Sequence, residues 1–122
     1  MTSDELELVD FHVTDIKSHV STSSAHELAL SAKSSVSART ADPFDGLLYL
    51  FMNVQVSAQT QELFSLDIST ETVLRLPEYK TQVTEEDAPP CIDLARRETH
   101  RAVRELTAAM GIAELDLDAV GG

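Results

Sequence analysis

Four histidines, one cysteine, two serine clusters and a short run of carboxylates are the side chains in this 122-residue chain that could do chemistry. His12, His19, His26 and His100 stand on three or four different elements, and no HxH, HExxH or CxxC spacing joins them. A metal needs ligands that converge within a few ångströms, so these histidines read as surface or strand-filling groups. Cys91 stands just before a helical pattern, where the helix dipole would lower its pKa. A nucleophile also needs a base, and with no His-Asn constellation around it Cys91 reads as a helix-start filler. The serines at 21–24 and 34–37 include no Gly-x-Ser-x-Gly elbow and read as a turn and a solvated strand face. Neither GxGxxG nor GxxxxGK[ST] is present, and two of the four glycines are terminal, so a phosphate cradle has nothing to be built from. Glu85 and Glu86 lie in a proline-flanked charge run that should be solvated rather than paired for acid–base work. No enzyme, cofactor or metal centre is expected.

Binding through a surface is what remains, and composition bounds the partner. Of the residues, 43% are apolar and 25% charged, enough for one globular domain. A net charge of −12 repels a nucleic-acid backbone, which excludes DNA and RNA as partners. No apolar run approaches the ~20 residues that cross a bilayer, and the acidic start lacks the positive head of a signal peptide. With a lone cysteine, no internal disulfide can form, so a cytoplasmic location and no membrane partner are expected. Without Trp, and with four Phe and two Tyr, the few aromatic rings should matter to the core or to a binding surface.

The elements that must position such a surface are legible from periodicity. In residues 5 to 20, ELELVDFHVTDIKSHV, Val9, Phe11 and Val13 share one face, and then the alternation breaks before Ile16 and Val20. A bulge near Thr14 or Asp15 would produce that switch, because one extra residue reverses side-chain direction. Residues 27 to 38 put Leu28, Leu30, Ala32, Val36 and Ala38 on one face and Glu27, Ser31, Lys33, Ser35 and Ser37 on the other, a half-exposed strand. The turn chemistry of Pro43 and Gly46 leads into residues 47 to 59, which start apolar on both faces and end with Asn53, Gln55 and Ser57 alternating with valines. A fourth strand has Phe64, Leu66 and Ile68 facing one way and Ser65, Asp67 and Ser69 the other. Residues 77 to 90 carry three prolines and Glu85-Glu86-Asp87 and read as an exposed loop. From residue 91 to 110 the period shifts to about 3.5, which predicts one long helix, and a short tail spans 111 to 122. The fold class is therefore α+β, a single domain with a four-stranded antiparallel sheet followed by one helix. Four of the nine basic residues, Arg96, Arg97, Arg101 and Arg104, lie on that helix, the one place an acidic surface could dock.

This order of elements resembles the SecB family of protein-export chaperones. DFHVTDIKSHVSTS is similar to the family's Phe-x-Ile-x-x-Ile pattern followed by a serine-containing turn, with Phe11, Val13 and Ile16 on those positions. LFSLDIS resembles the fourth strand's aromatic, acid and aliphatic order through Phe64, Asp67 and Ile68, and RAVRELTAAMGIAELDL resembles the end of the helix through Val103, Leu106, Gly111, Leu115 and Leu117. Where the family shows Pro-Tyr-x-Arg-Glu at the helix start, His100-Arg101 occupy the last pair and the Pro and Tyr are absent. The family's final helix has no counterpart before Gly122, and its first-strand acid falls on Val20, leaving Asp67 as the matched acid.

The resemblance implies an ATP-independent holdase for unfolded or partly folded polypeptides, of the stand-alone kind found beside toxin–antitoxin pairs. It implies a homo-oligomer built as a dimer of dimers, with first strands meeting across the dimer and helices between two sheets. Client-lining candidates are Phe11, Leu47, Tyr49, Phe51, Met52 and Phe64; interface candidates are Val103, Leu106 and Met110. Asp67 is the candidate contact for the SecA motor, whose engagement stays open. Two rival readings are a structural or adaptor subunit with one dedicated partner, such as a phage component, and a small hydrolase using Cys91.

Overall fold

The computed structural model describes residues 1–20, 30–58 and 64–109, with residues 20, 30, 58 and 64 described by their backbone. Four strands, β1 (Glu7–Val20), β2 (Leu30–Arg39), β3 (Leu47–Ala58) and β4 (Phe64–Arg75), precede one helix, α1 (Ala88–Ala109). All pairings are antiparallel, and the strand order is β1-β4-β3-β2, so the first strand lies beside the last rather than beside the second. Residues 21–29 therefore join opposite edges of the sheet.

Strict alternation explains the core. Leu48, Leu50, Met52, Val54 and Val56 of β3 and Leu66, Ile68 and Leu74 of β4 point to one face and are at most 4% exposed. On that face lies α1, through a stripe at four-residue spacing: Cys91, Ala95, Thr99, Val103 and Thr107. These are small or β-branched side chains, so the helix backbone sits close to the sheet. Thr70 of β4 and Thr99 of α1 share a buried hydrogen bond of 2.9 Å that fastens the two layers. At the β3 entry, Gly46 takes φ of +85° and its carbonyl accepts from the Leu76 amide at 2.9 Å, locking the end of β4 to the turn.

The helix begins three residues before the position its periodicity indicated. Pro89 and Pro90 lie inside its first turn, where backbone N–H groups have no intrahelical acceptor and proline costs nothing. Asp87 ends the short 3-10 turn Glu85–Asp87 that leads in. Its carboxylate accepts from the Thr84 amide at 3.0 Å and the Thr84 hydroxyl at 3.1 Å, and Lys80 Nζ lies 2.7 Å away. The segment 77–90 is thus not a wholly solvated loop: Glu85 and Glu86 are exposed, but Asp87 is 2% exposed.

Candidate functional site

A single helix is narrower than a four-stranded sheet. α1 lies over β3 and β4 and leaves the helix-side faces of the two edge strands partly exposed. On β1 the residues opposite the core positions Leu74, Thr72, Thr70 and Ile68 are Leu8, Phe11, Val13 and Ile16. Two register shifts, between Leu8 and Asp10 and between Val13 and Asp15, bring this unevenly spaced set to one face. The second is the bulge that the broken alternation called for. The first displaces Val9 and puts Leu8 in its place. Leu8 is 39% exposed, Val13 37% and Ile16 43%, so a partly exposed apolar row runs along the edge beside the helix. One helix for four strands already implies that the first edge strand is left uncovered; what the sequence does not single out is Leu8, which only the bulge at Val9 brings into the row with Val13 and Ile16.

Across the sheet the opposite face is polar. Asn53 donates to Asp67 Oδ1 at 2.7 Å and to Ser69 Oγ at 3.0 Å, and Gln55 Nε2 donates to Asp67 Oδ2 at 3.3 Å. Lys17, opposite Asp67 in the β1–β4 register, adds a cation, and a depression of about 440 Å³ lies over Lys17, Gln55, Ser57, Ser65 and Asp67. The carboxylate of Asp67 is thereby oriented toward solvent by two amide donors.

The expected client-lining residues divide between these faces. Leu47, Tyr49 and Phe51 are half-buried on the polar side, where Arg39 stacks over the Phe51 ring at 5.1 Å. Phe11 is half-buried on the helix side, and Met52, 4% exposed, is in the core beneath the helix. Phe64 opens β4 and its side chain lies outside the described residues, as does all of Met110. Among the interface candidates, Val103 is fully buried on its own sheet and Leu106 is half-buried at the helix flank.

Cys91 is fully buried, and burial, with the nearby Asp87 charge, pushes its thiol up to about 11, opposite to what the helix start alone would do. His12 pairs with Asp10 at 3.2 Å, and Glu71 lies 3.8 Å from its other nitrogen. No group of three or more potential metal ligands occurs among the described residues. His26 lies outside them. Arg96, Arg97 and Arg101 are exposed and Arg104 half-buried, with Arg96 paired to Asp93 at 3.2 Å and Arg101 to Glu98. No described helix is long and apolar enough to cross a membrane.

No sequence family profile matches the chain, and no curated protein sequence does. Among solved structures it is similar to the Mycobacterium tuberculosis Rv1957 SecB-like chaperone, in a complex with a ChAD peptide from the Rv1956 HigA1 antitoxin. The similarity covers 93% of this chain and 86% of that one, at a TM-score of 0.64 and 15% identity. The four-stranded sheet with its long C-terminal helix is thus the SecB-like fold.

Proposed function

We propose that this chain is a SecB-like chaperone that holds extended, non-native polypeptide without nucleotide hydrolysis. The observation that carries this reading is the partly exposed row Leu8, Val13 and Ile16 beside α1. An exposed apolar strip bordered by a polar face and a charged helix is a surface for other chains, and the charge of −12 keeps it soluble. Phe11 extends the strip, and the outer-face rings of Tyr49 and Phe51 offer a second contact for a client that wraps the sheet. In the assembly, two β1 edges meet across each dimer and the seam between dimers passes over Leu106, with Val103 beneath it. Asp67 is the contact for a SecA-type motor where one is engaged, and the site of action is the cytoplasm.

A denatured client protein tests this directly. Equimolar chaperone should suppress its aggregation, and V13D/I16D should lose most of that effect with an unchanged melting curve. Burying two such side chains contributes about 3 kcal/mol or more, so the loss in client affinity should exceed tenfold. Aggregation unaffected by the wild-type protein would refute the reading. A second reading, an adaptor for one client, draws on the antitoxin peptide bound by the M. tuberculosis protein. Affinity purification separates them: one partner at fixed stoichiometry for the adaptor, many for the holdase.

A further inference from the structure

We propose that the open edge of β2 accepts an extended acidic peptide as a fifth strand. The occupant is a segment with one acid three residues before, and another three residues after, a large apolar side chain. This rests on the reading that the chain binds extended polypeptide and specifies which segment it selects.

β2 pairs with β3 without a register shift from Leu30↔Ala58 to Arg39↔Tyr49, and no strand lies on its other side among the described residues. Its outward backbone donors and acceptors are therefore a regular template for one more strand. The other edge is unlike it, because β1 is broken by two bulges and carries Glu7, Asp10 and Asp15. In a chain of net charge −12, β2 holds Lys33 and Arg39 and no acid at all. Both cations are exposed, and neither is ion-paired among the described residues. The Arg39 guanidinium is steadied over the Phe51 ring.

The β2–β3 register sorts the side chains. Lys33, Ser35, Ser37 and Arg39 share the outer face with Gln55, Asn53, Phe51 and Tyr49. Val36 points to the helix side and is 38% exposed, with the small Ser34 and Ala38 as its neighbours on that face. A strand laid along this edge alternates in the same way. The residue opposite Val36 meets an apolar side chain with room beside it. The residues opposite Lys33 and Arg39 lie three positions away on either side and face the other way, toward the cations. A second copy of β2 fits poorly, since antiparallel pairing centred on Val36 sets Lys33 directly against Arg39.

The probe is a fluorescein-labelled acetyl-SDVTLTVDS-amide peptide, titrated with the full-length chain by fluorescence anisotropy. Saturable binding is expected, weakened about tenfold or more by K33E/R39E, and restored to that variant by the peptide SKVTLTVKS. Methylating the backbone amides on one edge of the peptide should abolish binding, and methylating those on the other edge should not. Equal binding to wild type and K33E/R39E, or equal sensitivity on both peptide edges, overturns the proposal. So does self-association of the wild-type chain that K33E/R39E abolishes, which would give the edge to a second copy. Suppression of client aggregation is measured on the same samples. Suppression without peptide binding sinks the β2 site and leaves the chaperone reading standing; peptide binding without suppression does the reverse.

Discussion

The hydroxyl pair between Thr70 and Thr99 fixes where the helix lies over the sheet, and its energetics can be isolated. Thr70 is 1% exposed and Thr99 fully buried, with their oxygens 2.9 Å apart. Thr99→Val keeps the shape of the side chain but leaves the Thr70 hydroxyl buried without its partner. Stranding a buried hydroxyl costs about 1–3 kcal/mol, whereas replacing both partners with apolar groups of the same shape is nearly neutral. Each of T70V and T99V should therefore destabilise by about 1–3 kcal/mol, and T70V/T99V by much less than their sum. At roughly 4 °C per kcal/mol for a domain of this size, each single variant should melt about 4–12 °C lower than wild type. The cycle is measured by urea unfolding at one fixed protein concentration, so that self-association does not shift the midpoints. Strict additivity would refute the reasoning, as would single variants indistinguishable from wild type, because the hydroxyls would then be satisfied elsewhere.

Two further perturbations test the helix start. Lys80 and the Thr84 amide hold the Asp87 carboxyl below its ordinary value of 3.8, so its stabilising effect is present above that pH and is lost as the pH falls through the lowered folded value. The stability gap between wild type and D87N, followed by unfolding from pH 7 down to pH 3, should accordingly shrink toward the acid end; a constant gap would mean the charge is irrelevant. With its thiol near 11, Cys91 is about one part in a thousand thiolate at pH 8, and with no solvent access it should react with a disulfide reagent only at the rate of unfolding. Labelling of the native protein as fast as that of a free thiol would reinstate Cys91 as a nucleophile.

Local pattern carried most of the strands, and what it missed was non-local. The β3 sequence alternates so regularly that its buried and outer faces follow from period alone. The bulge at Thr14 could be inferred because Ile16 breaks an otherwise clean row. The bulge at Val9 could not, since Val9, Phe11 and Val13 form a perfect alternation on their own, and only pairing with β4 shows that Leu8 takes the inner position. Strand order was equally hidden, because nothing local says that β1 prefers β4 to β2. Asp87 looked solvated inside an acidic run; its partner Lys80 is separated from it by a turn that only the fold closes. Leu47, Tyr49, Phe51 and Met52, the client-lining candidates on β3, occupy both of its faces, and alternation necessarily divides them, sending Met52 into the core and Tyr49 and Phe51 to the polar side.

Placing β1 beside β4 also sets an order of events during synthesis. The pair Glu7 and Arg75, 3.1 Å apart in the finished fold, is separated by 68 positions along the chain. β2, β3 and β4 are sequential neighbours in the sheet, whereas β1 has no place to dock until residue 75 has left the ribosome. The strand that bears the exposed apolar row is thus made first and seated last. In a single protomer it is held along one edge only, as β2 is, so until a second β1 pairs with it, it detaches more readily than β3. Its amides should exchange hydrogen well before those of β3, through an opening that leaves the rest of the sheet and its helix intact.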